Sequence, residues 1–128
     1  MKAKNLIILI LLVLAGGLSS DVFAQENLKA FVVKCESNES VKMTVVRQRN
    51  PNTKKVTQVI TSISIKSNPT LVNELLAAFK KDEENTTQSI ETKKNGKIVP
   101  EYYSFGNTSY SLSIKDDGSS ASLSVIEK

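Results

Sequence analysis

Cys35 is the only cysteine of this chain, and there is no histidine. Those two counts bound the chemistry. Ser-His and Cys-His catalysis, histidine-ligated zinc and a histidine pH switch all need an imidazole and are excluded. No serine lies three residues before a lysine, so a Ser-Lys dyad of the SxxK kind is absent, as are GxGxxG and P-loop motifs. What remains is carboxylate chemistry, and its candidates are the adjacent Asp82, Glu83 and Glu84 of "KDEE". Adjacency on a charged helix puts them on a solvated face, where no catalysis is expected. "DDGSSAS" has the composition of a calcium loop but lacks the alternating acids and distal Glu, and reads as a turn. The expectation is therefore a protein that is not an enzyme and holds no cofactor or metal.

Two groups of residues suit binding. Arg47, Arg49, Lys54 and Lys55 flank one turn, inside a stretch from Ser40 to Asn73 that contains no acid. Positive charge at a loop tip can engage an anionic polysaccharide, a lipid head group or an acidic protein partner; equally, it can simply solubilise an exposed hairpin and blunt its edge. The second group is Tyr102. With Tyr103 and Phe105 directed into the core, strand alternation turns Tyr102 to the opposite, Ser/Thr-lined face. There it can meet a sugar ring or a partner, or pack against a cross-strand neighbour.

The elements that must position these residues follow from periodicity. Leu28, Phe31, Val32 and Cys35 recur at i, i+3, i+4, i+7, which predicts a short helix with the thiol on its buried stripe. Free cysteine is commonly a core residue. Val41, Met43 and Val45 alternate with polar residues, "RNPNTKK" turns the chain, and Val56–Lys66 returns as the second strand of a hairpin, with a parity break at Ile60 that suggests a bulge. Asn68 caps and Pro69 opens a second helix striped by Leu71, Val72, Leu75, Leu76 and Phe79. Its spacing continues through Glu83, Thr86 and Ile90, so a helix reaching Lys94 is favoured over the alternative, a tight hairpin at Asn95-Gly96. Three strands in a meander complete the chain, around Tyr103–Phe105, Tyr110–Ile114 and Ala121–Val125. The predicted fold is α+β: an antiparallel sheet of about five strands with two helices on one face, in the order α-β-β-α-β-β-β.

The first residues speak to location. Lys2 and Lys4 precede an unbroken apolar run from Leu6 to Leu14, then small residues and "VFA" before Gln25. This is the pattern of a secretory signal peptide cleaved after Ala24; the run is too short for the ~20 apolar residues that span a bilayer. Residues 25–128 would then form one domain of 104 residues, with 15 basic and 12 acidic side chains. Cys35 lies too far from the cut to be a lipoprotein cysteine, and a single cysteine forms no internal disulfide. The expected protein is periplasmic or secreted, without a stable membrane anchor, and its mild net charge of +3 gives no reason to expect nucleic acid.

"FAQENLKAFVVKCESNESVKMTVVR", "NPTLVNELLAAFKKDEEN" and "VPEYYSFGNTSYSLSIKDD" together resemble a family of small exported proteins of Gram-negative gut anaerobes, a domain of unknown function. The resemblance spans the mature chain and implies export and a shared fold, but no activity. At the level of fold alone the chain is similar to PepSY-like and cystatin-like modules. The functional expectation is an exported, non-enzymatic binding module of an inhibitor-like kind; the alternative is a structural or assembly subunit at the cell envelope.

Overall fold

The computed structural model describes residues 25–128. The expected signal peptide, residues 1–24, lies outside them. Helix α1 (Glu26–Glu36) leads into β1 (Val41–Arg49) and β2 (Val56–Ile65), followed by helix α2 (Pro69–Asp82) and a 3-10 turn (Glu83–Asn85). Four strands follow: β3 (Gln88–Lys94), β4 (Lys97–Ser104), β5 (Thr108–Ile114) and β6 (Ala121–Glu127). All six strands form one antiparallel sheet in the order β1-β2-β6-β5-β4-β3.

Both helices cover one face. Ile63, Ile65, Tyr110, Leu112, Leu123 and Val125 point toward them, and pack with Leu28, Phe31 and Cys35 of α1 and Leu71, Val72, Leu75 and Phe79 of α2. Phe79 meets Tyr103 edge-on at 5.0 Å between ring centres, and Phe105 meets Tyr110 in the same way at 5.8 Å. Cys35 sits in this core, 1% exposed. The predicted stripes of both helices and of β2, β5 and β6 thus lie on the buried face, whereas along β1 Val41 and Met43 are half-buried and Val45 is exposed.

The strand count is six rather than five, because α2 stops at Asp82. Its expected continuation to Lys94 does not form. Asp82 turns into the core instead of toward solvent, and Thr86 closes a tight turn by donating both its N–H (3.2 Å) and its hydroxyl (2.8 Å) to the Glu83 carbonyl. Thr87 N–H then donates to the Ser104 carbonyl at 2.8 Å and carries the chain into β3. Asn95-Gly96 is the tight hairpin turn, with φ of 51° and 80°, a pair of left-handed residues that Asn and Gly accept most readily. The bulge expected at Ile60 is also absent: Ile60 pairs in register with Val46 and Ile126, and the irregularity falls between Gln48 and Arg49.

A buried polar link fixes the start of α1. Asp82, 1% exposed, accepts from Asn27 Nδ2 (2.7 Å), Leu28 N–H (2.8 Å) and Asn27 N–H (3.4 Å). A carboxylate contributed by α2 therefore caps α1, satisfying donors that the first helical turn leaves free and opposing the positive end of its dipole. Beside it the Tyr110 hydroxyl donates to Oε1 of the buried Gln25 at 2.7 Å. The expectation that Asp82 lies on a solvated face is overturned.

Candidate functional site

Arg47 and Arg49 stand near the end of β1 and Lys54 and Lys55 in the following turn, all exposed. Arg49 donates from its guanidinium to the Lys54 carbonyl at 3.4 Å. Lys54 holds a left-handed φ of 62°, which projects this turn sharply. Neither ion pair found among the described residues involves any of the four, so their charges face solvent. The structure brings these four together at one hairpin end, next to the exposed Val45 and Val56.

Tyr102 belongs elsewhere. It is half-buried on the face opposite the helices, in register between Ile90 of β3 and Ser111 of β5. Its row continues through Ser124, Ser62 and Thr44, and the next holds Ser113, Ser122, Ser64 and Lys42. This outer face is rich in hydroxyls, and Lys42 is the one charge in those two rows. Four strand spacings, about 19 Å, separate Tyr102 from β1. Tyr102 and the basic hairpin are not one site.

A third place was not anticipated. β4 pairs with β5 only through Tyr102, Tyr103 and Ser104. Before Tyr102 the β3–β4 hairpin leaves the sheet. Pro100 cannot donate a ladder hydrogen bond, and the β3–β4 register shifts between Ile90 and Glu91, which bends this arm. The divergence opens a cleft of about 460 Å³ between the arm, α2 and the β5–β6 turn. Val72, Leu76, Val99, Pro100, Leu112 and Ile114 supply its apolar lining.

The rim is polar and of both signs. Lys94 Nζ lies 3.7 Å from the Asp116 carboxylate. Asp117 accepts from the Ser119 N–H (3.0 Å) and hydroxyl (2.8 Å), bonds that hold its carboxyl below the usual range, and the Thr92 hydroxyl donates to Glu101. All three rim carboxylates are engaged. Lys97 and Lys115 have no side-chain partner among the described residues. The sequence signal for this cleft was weak: Pro100 inside a strand-like run hints that β4 leaves the ladder, but no periodicity shows a gap.

Glu83 and Glu91 also meet. Hydrogen bonding from Glu83, then burial and the like charge of Glu83, raise the Glu91 carboxyl above its ordinary value. Burial first, then both carboxylates, push the Tyr103 hydroxyl up. This cluster lies outside the cleft. Burial raises the Cys35 thiol, the nearby Lys34 offsets that only in part and Glu74 adds to it, so the thiolate is disfavoured. Lys34 is directed to Glu74, 2.7 Å away. Among the described residues no three Cys, Asp or Glu side chains converge as metal ligands, and no helix is long and apolar enough to cross a membrane.

The architecture is that of a small α+β domain whose six-stranded antiparallel sheet carries both helices on one face and opens at one end into a cleft. The chain belongs to the family described as domain of unknown function DUF5024, which matches residues 25–127. No curated protein and no solved structure matches it.

Proposed function

We propose that this domain is an exported, non-enzymatic binding module whose ligand sits in the cleft between α2, the β3–β4 arm and the β5–β6 turn. The cleft itself carries the reading: its volume of about 460 Å³ is that of an ordinary small site, and its apolar lining is edged by a few polar groups. Binding rather than catalysis is supported by the absence of histidine from the sequence and by the engagement of the rim carboxylates in hydrogen bonds or an ion pair. Export is supported by the basic, apolar and small-residue segments before Gln25.

The test is capture. Mature domain immobilised on a support should retain a component of cell-envelope extract, and Val99→Arg, which fills the cleft from β4, should abolish retention while the circular dichroism spectrum stays unchanged. Equal retention by both proteins refutes the cleft as the site.

A second reading, an assembly subunit, is favoured by one observation: β1 and β3 are open sheet edges, and β3 is exposed along its whole length. Sedimentation would reveal it as concentration-dependent association, whereas the lysines of β3 oppose edge-to-edge pairing.

A further inference from the structure

We infer, on the reading that the cleft is the binding site, that its occupant is an extended peptide segment of a protein partner, apolar at alternate positions and acidic beside them, which adds as a strand to the free edge of β5.

The main chain makes the first argument. Phe105 N–H donates to the Thr108 carbonyl at 2.8 Å, and Lys115 N–H to the Ser120 carbonyl at 3.0 Å. Antiparallel ladders alternate, so these two bonds set the even-numbered residues of β5 to turn their N–H and C=O groups toward β4, and the odd-numbered ones toward β6. β6 pairs along β5 as far as Ile114, but β4 pairs only as far as Ser111. The β4-directed groups of Ile114 therefore have no strand partner among the described residues, and β5 presents an open edge from the Leu112 carbonyl to Ile114, the Leu112 N–H being turned to β4 beside the Tyr102–Ser111 pair. That edge is about 10 Å long at ~3.3 Å per residue, room for three residues of a fourth chain segment. Unpaired strand edges recruit strands.

The second argument is the lining. A strand lying in the gap directs alternate side chains toward α2, where Val72 and Leu76 meet them, and the others toward solvent. Alternation in the ligand follows from the geometry.

Charge is the third. Asp116, Asp117 and Glu101 are already satisfied by Lys94, Ser119 and Thr92, while Lys97 and Lys115 stand unengaged at the rim. Three lysines balance three carboxylates across the rim, but Lys97 and Lys115 are the ones without a side-chain partner. Asp or Glu on the occupant can therefore pair with them without displacing an existing contact.

The probe is a phage-displayed library of random seven-residue peptides panned on the mature domain. Enrichment of sequences with alternating aliphatic residues and at least one Asp or Glu is expected. Synthetic versions should lose at least tenfold in affinity when alternate backbone nitrogens are methylated, because each methyl removes one ladder bond worth about 1.4 kcal/mol, a factor of ten. Lys97→Glu with Lys115→Glu, both exposed positions, should weaken acidic peptides about tenfold and invert the preference toward basic ones. Enrichment of no peptide, or affinity indifferent to N-methylation, overturns the inference. Envelope capture that is lost in Val99→Arg while no peptide binds leaves the cleft as a site and refutes only its peptide occupant; envelope capture equal in Val99→Arg and the parent refutes the site itself.

Discussion

Removing the Asp82 carboxylate should be among the most damaging single changes to this fold. Asp82→Ala leaves Leu28 N–H and Asn27 Nδ2, now bonded at 2.8 and 2.7 Å, without an acceptor at a site that is 1% exposed. Each buried donor left unmet costs about 1–3 kcal/mol. Loss of negative charge at the start of α1 adds roughly 0.3–1 kcal/mol. These terms bound the loss at roughly 2–7 kcal/mol. Because Asn27 is only half-buried, a total of about 3–4 kcal/mol is expected, against the 5–15 kcal/mol typical of a whole domain. Near the melting temperature that corresponds to a fall of about 15 °C or more for a chain of this size.

The series that tests it is short. Asp82→Asn keeps one acceptor but turns an N–H₂ toward a donor, and should lose about half as much. Glu84→Ala, two residues on and exposed, should stay within about 0.5 kcal/mol of the parent. Asn27→Ala removes the side-chain bond alone, and its combination with Asp82→Ala should fall short of additivity because both act on one bond. Urea unfolding followed by circular dichroism reads all four. If Asp82→Ala unfolds at the same urea concentration as Glu84→Ala, the inter-helix cap contributes nothing and the reasoning fails.

The buried Cys35 thiol should react with a thiol reagent far more slowly in the folded protein than in denaturant, and Cys35→Ser should cost about 1–3 kcal/mol for a hydroxyl in an apolar site; labelling of the native protein at the rate of free cysteine would overturn the core assignment. Stability should fall as pH rises above about 10, the ordinary tyrosine value, because burial pushes the Tyr103 and Tyr110 hydroxyls up in the fold, so the unfolded chain gives up protons that the native one keeps. Urea midpoints at pH 8 and pH 11 should therefore converge in Tyr103→Phe relative to the parent; an unchanged difference counts against it. The basic hairpin is proposed to bind anions: affinity for heparin, an anionic polysaccharide, should fall steeply with salt and vanish when Arg47, Arg49, Lys54 and Lys55 are all replaced by Gln, and persistence after those replacements would remove the proposal.

What the sequence made legible was whatever buries apolar surface. Both helices and the strands through Ile63, Tyr110 and Leu123 carry stripes, and a stripe is the direct imprint of a core. β3 carries none. Gln88–Lys94 has a single aliphatic residue, Ile90, and that is 45% exposed, so nothing in the periodicity separates this edge strand from the tail of a helix. The three helix-like positions beyond α2 include Glu83, half-buried, and Thr86, which is held by the Glu83 carbonyl. Among the three adjacent acids, composition offers no way to single out Asp82: its role comes from the position of α1, fifty-four residues away from Leu28 in the chain.

The cleft escaped for a related reason, and that reason bears on its use. A sheet read from alternation is assumed to pair along the full length of its strands, yet β4 joins β5 at three residues of its eight. An uninterrupted ladder would bury Val99 against β5; instead Val99 is half-buried. The chain thus forgoes both hydrogen bonds and apolar burial along this arm, each of which full pairing would supply. Pro100 and the shift after Ile90 enforce that arrangement locally, since neither allows the ladder to close by a simple rotation of the arm. Departures from local consistency of this kind concentrate where a protein meets its ligand. The gap, more than any single side chain, is the part of this domain whose form is not accounted for by folding alone.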